Sequence, residues 1–518
     1  PEAKQPAQAK DEAGGCASLA AEAAGKGGGA RKRRRRGKAG AASATEETEA
    51  MHTTNAAVTN TILVNPLTPL AVNEANALRK ALRIYVYGND VPPPVQSAHD
   101  LAARYDLKPA LARNILSAGY HELTRVQMQA IPAFLNGREL LACAPTGSGK
   151  TAAFLIPLLS LLMKAKAKGA GPRSIILVPT QELGRQIYRE VMKLSKGAKL
   201  KAGVLSKKLC AVATQAAGAG DKKGGLGGYD VLVCTPLRLV ALVRKQAIDL
   251  HGVGQLIMDE ADKLLDLGFL EQVDEVISAC TATAVQRCLF SATMLPAIEE
   301  LADTVLRQPV RVVVGEKNAA AETVEQKLVF VGREDGKMVA LRQMIKQGIQ
   351  PPVLIFVQSK ERALELFHQL VYDGLRVDVI HADRSQAQRD EIVDQFRLGK
   401  VWVLIATELM ARGMDFKGVQ LVLNFDFPQS TVSYIHRIGR TGRAGRPGKA
   451  ITYFTEADVE QLRSIANVLK ASGCEVPDWM LKLKASLRRD EKRRRAVAPI
   501  SRKSIYKPMR HAEAKGGA

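Results

Sequence analysis

Residues 144–151 read Ala144-Pro145-Thr146-Gly147-Ser148-Gly149-Lys150-Thr151. The apolar run ELLACA (139–144) leads into them, and the apolar stretch TAAFLIPLLSLL (151–162) continues from them. A strand that turns through glycines into a helix is the context in which such a segment binds phosphate. Ala144 stands in the slot usually held by a first glycine. Gly147 and Gly149 let the backbone turn with its N–H groups inward, a nest for phosphate oxygens. The helix N-terminus adds partial positive charge. Lys150 supplies a mobile cation to the β- and γ-phosphates, and Thr151 a hydroxyl suited to Mg²⁺. A chance Gly-rich turn would lack the flanking strand and helix.

Outward from this loop, apolar β-type runs alternate with helical stretches. The first series is ELLACA, SIILVPT (174–180), VLVCTP (231–236), LIMDEAD (256–262) and CLFSAT (288–293). The second is VLIFVQS (353–359), VDVIHA (377–382), VLIATE (403–408), LVLNFD (421–426) and ITYFTE (451–456). Runs that are apolar throughout, with helices between, predict parallel strands covered on both faces, hence one α/β lobe per series. The Ala-rich segment VVVGEKNAAAETV (312–324) is the natural joint. The resulting division is a low-complexity tail at 1–75, a short segment at 76–97, a first lobe at about 98–312, a linker at 313–323, a second lobe at 324–485 and a basic tail at 486–518.

The whole chain has 518 residues, 46% hydrophobic and 25% charged, enough apolar sequence to exclude a fully disordered protein. Lys plus Arg number 75 against 52 Asp plus Glu, a net charge of +23 that points to a polyanion partner. No apolar run reaches spanning length, which speaks against an integral membrane protein, and PEAKQPAQAK at the start lacks the apolar core of a secretory signal. The seven cysteines (16, 143, 210, 234, 280, 288 and 474) are scattered without a C-x-x-C. That spacing argues against a zinc site and a disulfide framework. Residues 1–75 read as disordered and carry Arg31-Lys32-Arg33-Arg34-Arg35-Arg36, a run compatible with nuclear import, a nucleic-acid arm or a solvated tail. From Lys482 onward the chain has 13 Lys or Arg against 3 Asp or Glu, including Lys492-Arg493-Arg494-Arg495, and is suited to binding phosphate without sequence preference. Of the two tryptophans, Trp402 is expected in the core.

Two further segments carry chemistry. Asp259-Glu260-Ala261-Asp262 closes an apolar strand, at the end where open α/β sheets bind ligands. Asp259 is suited to hold Mg²⁺, and Glu260 to orient and deprotonate an attacking water. A lone D-E-A-D is equally a solvated acidic turn; behind a phosphate loop the catalytic reading prevails. Tyr434-Ile435-His436-Arg437-Ile438-Gly439-Arg440-Thr441-Gly442-Arg443 is too dense in Arg and Gly for a core helix. Arg440 and Arg443, three apart, are expected on one helix face. They are either arginine fingers for a γ-phosphate or a basic patch for nucleic-acid phosphate.

With these residues in place the chain resembles the DEAD-box ATP-dependent RNA helicases, almost continuously from about Ala98 to Phe454. The motifs that carry the likeness are GYHELTRVQMQAIP with Gln127, the phosphate loop, PTQELGRQ (179–186), TPLRL (235–239), DEAD, SAT (291–293), VLIFVQS, QRD (388–390), ATELMARGMDF (406–416) and HRIGRTGR, in the family's order. The resemblance implies two tandem RecA-like parallel-sheet domains with disordered basic N- and C-terminal tails. It implies that Gln127 reads adenine, that Asp415 contacts ribose and that Arg440 and Arg443 are the fingers. It further implies that Ser291, Thr293, Asp262 and His436 couple nucleotide state to RNA, and that Thr235, Arg238, Gln388, Arg389 and Thr407 hold RNA phosphates and sugars. ATP and Mg²⁺ are the implied cofactors, with no other metal, and RNA the implied partner.

IYVYGNDVPPPV (84–95), GRELLACAPTGSGKT (137–151), ETVEQKLVFVG (322–332) and PPVLIFVQSKERALELFHQL (351–370) look like the nucleolar subgroup of that family. This implies a nuclear, nucleolar protein acting on pre-rRNA or its snoRNA duplexes among pre-ribosomal proteins of the small subunit. Some positions depart from the family. Gln181 replaces an Arg, and Gly184 an Ala. Leu123-Thr124-Arg125 replaces P-T-P. Ala98, with His99 beside it, stands where an adenine-stacking aromatic is usual. No Gly-Gly pair is evident between 200 and 215. These departures leave room for a second reading, a weakly hydrolysing or non-catalytic ATP-gated RNA clamp serving as an assembly scaffold; a DNA-translocating motor is a third.

Overall fold

The structure is a computed structural model that describes residues 69–165, 171–219, 226–282, 284–315, 323–408, 416, 418–443 and 446–483. Both Arg/Lys runs, Asp415, Met410 and Met414 lie outside the described residues.

Two α/β sheets form, one from each series of apolar runs. The first contains β1 (Ile84–Tyr87), β2 (Leu140–Cys143), β3 (Ser174–Leu177), β4 (Ala202–Val204), β5 (Val231–Cys234), β6 (Gln255–Met258), β7 (Gln286–Ser291) and β8 (Val310–Val314), in the spatial order β1-β8-β2-β7-β6-β3-β5-β4. The second contains β9 (Val324–Phe330), β10 (Val353–Val357), β11 (Val377–Ile380), β12 (Val403–Thr407), β13 (Leu421–Asn424) and β14 (Gly448–Phe454), in the order β11-β12-β10-β13-β14-β9. The second sheet is parallel throughout. The first departs from the expected all-parallel arrangement, because β1 pairs antiparallel with β8 at its edge. Sheet one thus draws a strand from the segment ahead of residue 98.

The central strands β2, β3 and β5 are buried along their whole length, with apolar clusters on both faces of the sheet. That is why they read as unbroken apolar runs. They are also shorter than those runs. SIILVPT, for example, stops pairing at Leu177 and leaves Thr180 to cap the next helix, its Oγ1 accepting from Leu183 N at 3.3 Å. The chemistry-bearing residues Ala144, Thr180, Thr235, Asp259 and Thr293 all fall just past strand ends, gathered along one edge of sheet one.

Trp402 is not a core residue. It lies just ahead of β12, is 39% exposed, and stacks beneath the Arg376 guanidinium at 5.2 Å. The second lobe instead buries charge. Asp426, fully enclosed, accepts from Arg362 Nε at 2.7 Å, Arg362 Nη2 at 2.7 Å, Lys337 Nζ at 2.9 Å and Gln358 N at 2.8 Å. No helix among the described residues is long and apolar enough to cross a membrane.

Candidate nucleotide and RNA site

The loop after β2 turns through Gly147 (φ +80°) and Gly149 (φ +93°), conformations that favour glycine. Gly149 caps the helix Lys150–Lys164. A Cβ on Gly149 would run into the Gln127 amide, which is tied to this loop: Gln127 Nε2 donates to Gly149 O at 3.0 Å. Its Oε1 accepts from Thr124 N at 3.0 Å. The carboxamide, fully buried, thus braces the phosphate loop against the helix Arg125–Leu135. Lys150 folds back onto the loop, donating to Ala144 O at 2.5 Å and Pro145 O at 3.0 Å. Burial lowers its pKa, opposed by Asp259 and Asp262.

Asp259 sits beside it. Burial, then the neighbouring Glu260, push its carboxyl up to about 7, against the pull of Lys150. Glu260 adopts a left-handed backbone (φ +50°, ψ +51°), a conformation that costs a non-glycine residue about 1–3 kcal/mol. Its Oε2 is buried with no hydrogen-bond partner, as is Ser148 Oγ. Glu260 with its orphaned oxygen, the Lys150 cation resting on carbonyls and the desolvated Asp259 carboxylate line one cavity of about 540 Å³. This donor set fits a polyphosphate with a divalent cation.

The cavity's other wall comes from the second lobe and includes His436, Arg440 and Arg443. Arg440 and Arg443 are not on a helix face as the spacing suggested. The helix Thr431–Ile438 ends at Gly439, and both arginines lie in the turns beyond it. Their Nε atoms hook back onto backbone, Arg440 to His436 O at 3.3 Å and Arg443 to Gly439 O at 2.8 Å. A Cβ on Gly147 would lie 3.0 Å from Arg443 Cγ, and one on Gly439 would overlap Thr146 Oγ1, so the lobes meet closely at the phosphate loop.

One carboxylate joins the lobes. Asp262 Oδ2 accepts from Thr293 N (3.1 Å), Thr293 Oγ1 (2.9 Å) and His436 Nε2 (3.1 Å), while Oδ1 accepts from Lys263 N (3.0 Å). An ionised carboxylate only accepts, which places the proton on His436 Nε2. Burial raises the Asp262 pKa, but His436, Lys263 and Thr293 outweigh it and hold the carboxyl well below the usual range. Ser291 Oγ donates to Thr293 O at 2.8 Å. The four residues expected to couple the sites therefore form one hydrogen-bonded cluster.

The expected RNA residues are mostly engaged within their own lobes. Thr235 caps the helix Pro236–Arg244, 3.5 Å from Gln181 Nε2. Arg238 donates to Leu205 O at 2.9 Å. Gln388 accepts from Ser385 N at 2.9 Å, capping its own helix, and Thr407 ends β12. Arg389 reaches across to Glu182 of lobe one at 3.1 Å. Sequence reasoning missed this pair and a second crossing, fully buried Lys263 to Glu408 at 3.7 Å. Glu182, Arg389 and Glu408 lie within recognised motifs and Lys263 just past one, but nothing local marks a residue as a bridge. Ala98 is buried at the start of a helix, His99 is exposed, and neither lines the cavity; the aromatic that does is Tyr120. β4 holds a single glycine, Gly203, against the Tyr229 ring.

Comparison with known proteins agrees with this geometry. Residues 124–301 match the DEAD/DEAH box helicase family and residues 336–445 the helicase conserved C-terminal domain, together more than half of the chain. The chain is 51% identical over 411 residues to a probable ATP-dependent RNA helicase, ddx52, of Dictyostelium discoideum, covering 79% of this chain and 60% of that protein's length. It is 45% identical over 446 residues to the ATP-dependent RNA helicase ROK1 of Scheffersomyces stipitis, covering 85% and 79%. Among solved structures, S. cerevisiae Dbp5 bound to RNA and ADP BeF3 matches with a TM-score of 0.62 at 28% identity, over 73% of this chain and 96% of that one. With the motifs, the two-lobed cavity and these relatives in agreement, the chain belongs to the DEAD-box family of ATP-dependent RNA helicases.

Proposed function

We propose that this chain hydrolyses ATP in step with closure of its lobes on single-stranded RNA, remodelling RNA duplexes and ribonucleoprotein particles locally. The observation that carries the reading is the Asp262–His436 bond beside the cavity. It makes the arginine wall and the phosphate loop one site only when the lobes meet. The backbone nest at 146–151 and Lys150 bind the phosphates. Glu260, strained, lining the cavity and with one carboxylate oxygen lacking a hydrogen-bond partner, takes the proton of the attacking water. Arg440 and Arg443 stabilise charge on the transferred phosphoryl group, a contribution worth ~10³–10⁵-fold in related enzymes. Asp259 and Thr151 would hold Mg²⁺, which supplies charge neutralisation across the phosphates. Gln127, tied to the phosphate loop through Gly149 O, would read the adenine, and Asp415 would contact the ribose.

RNA is gripped by Thr235, Arg238, Gln388, Arg389 and Thr407 through phosphates and 2′-hydroxyls, hence with little sequence preference. RNA phosphate displaces Glu182 from Arg389 as it binds. ATP and RNA each favour the closed state and so favour each other. A closed site that accepts a bent single strand and not a duplex opens a few base pairs at a time. The substrate class we infer is pre-rRNA, with its snoRNA duplexes and small-subunit pre-ribosomal proteins, in the nucleolus. Support comes from the subgroup likeness of residues 84–95, 137–151, 322–332 and 351–370 and from the two basic runs.

Gln181, which removes a cation from the RNA surface, favours the alternative of a slowly hydrolysing clamp. Steady-state ATP hydrolysis by the full chain, with and without single-stranded RNA, separates the two. Strong stimulation by RNA, abolished in Lys150→Ala, supports the helicase; absent hydrolysis with retained ATP-dependent RNA binding supports the clamp. Equal stimulation by DNA of the same sequence would remove the 2′-hydroxyl from the account.

A further inference from the structure

A second surface on lobe one has the chemistry of a nucleic-acid platform, at the end of the sheet away from the ATP cavity. β1 alternates cleanly. Ile84 and Val86 pack into the core, while Tyr85 and Tyr87 point to the opposite face and are 47% and 54% exposed. The antiparallel register sets Arg311 directly opposite Tyr87, so a guanidinium, ion-paired with Asp303, shares that face with the two rings. The rings stand in a cavity of about 1510 Å³ whose charged walls are Arg79, Lys80, Arg138 and Arg307 against Asp90 and Glu139. Glu139 immediately precedes β2, whereas the phosphate loop follows its other end, so this cavity and the ATP site occupy opposite ends of the strand.

We propose that Tyr85 and Tyr87 form an auxiliary single-stranded RNA site on which bases stack, with Lys80 and Arg307 drawing the flanking phosphates. Two rings two residues apart on one strand face offer consecutive stacking surfaces, and stacking tolerates any base. The excess of cations around them complements a phosphate backbone. Strand addition by a protein segment is the less suited occupant. β1 is four residues long and is followed by Gly88 and by Pro92-Pro93-Pro94, which leave little edge to pair with. The site would hold a stretch of the transcript outside the cleft while the lobes open and close. This inference assumes that the chain handles RNA, and its test separates the two claims.

The test compares the full chain with Tyr85→Ala/Tyr87→Ala and Tyr85→Phe/Tyr87→Phe. Fluorescence anisotropy follows binding of polyuridylate and of an oligouridylate short enough to fill only the cleft, both with a non-hydrolysable ATP analogue. The alanine pair should weaken polyuridylate binding about fivefold or more per ring. It should leave short-strand affinity and short-strand-stimulated ATP hydrolysis unchanged. The phenylalanine pair, which keeps the rings, should bind as the parent does. A 4-thiouridine-substituted polyuridylate should cross-link to the peptide containing Tyr85 and Tyr87. The proposal is overturned if the alanine pair binds polyuridylate normally or if the phenylalanine pair is as weak as the alanine pair. It is equally overturned if cross-links map to the cleft alone, or if the rings are shielded from solvent exchange before RNA is added, which would mean that a protein segment covers them. Failure of the parent to bind either strand would instead defeat the helicase reading.

Discussion

His436→Ala tests whether one hydrogen bond links the lobes. His436 and Asp262 are both buried, and Nε2 donates to Oδ2 at 3.1 Å across 174 residues of sequence. The substitution leaves Asp262 its three donors within lobe one, so the carboxylate is not stranded. The loss is then that of a single hydrogen bond to a charged group, about 1.5–3 kcal/mol. It falls on the closed state alone, because in the open state the partners are apart. Closure should become roughly 10- to 150-fold less favourable.

The assay is RNA affinity measured with and without a non-hydrolysable ATP analogue. Affinity with the analogue should drop by that factor. Affinity without it should hold, and so should thermal unfolding, since each lobe keeps its own core. A depressed carboxyl contributes its stabilisation above its ordinary pKa and loses it only as pH falls through the lowered one. The Asp262 contribution should therefore stay constant across about pH 5–9. Unchanged coupling in the variant, or an equal loss with and without nucleotide, would refute the reasoning.

Three further outcomes are expected. Glu260→Gln should keep ATP and RNA binding but lose ~10²–10⁴-fold in turnover by single-turnover kinetics; wild-type hydrolysis would remove Glu260 as the base. Asp426→Asn should leave Arg362 and Lys337 buried beside a neutral amide, at a cost of about 3–5 kcal/mol and a melting shift on the order of 10 °C in calorimetry. A shift of a degree or two would mean the network relaxes or hydrates. Deleting residues 484–518 should lower RNA affinity and flatten its dependence on salt; an unaltered slope would show that these residues make no phosphate contacts.

The ATP half-site was legible because its chemistry is local. Gly147, Gly149, Lys150 and Thr151 sit within one turn, and Asp259-Glu260 within two residues, so glycine conformational freedom and strand-to-helix context declare them in order. The ten apolar runs were equally plain, since strands covered on both faces are mostly apolar; Asp378 and Lys449 are exceptions toward the sheet's margins. The other four strands carried no such mark. Ala202–Val204 is three residues long, Ile84–Tyr87 alternates as an edge strand does, and Val310–Val314 and Val324–Phe330 flank the stretch taken for the joint. Trp402 misled because a large ring suggests a core, while beneath Arg376 it can stack and stay half in water.

What no reading of neighbours along the chain could supply is the meeting of the lobes. Asp262 with His436 and Glu182 with Arg389 are separated by 174 and 207 residues, and each side chain alone reads as a motif residue or a solvated charge. Arg440 and Arg443 show the same division. Their identity was visible, but a glycine-terminated helix, and not a shared helix face, aims them at the phosphate loop. Periodicity and spacing report forces that act between residues close in sequence. The bridging contacts depend on how two separately folded sheets dock, a distance- and orientation-dependent outcome that local pattern does not encode.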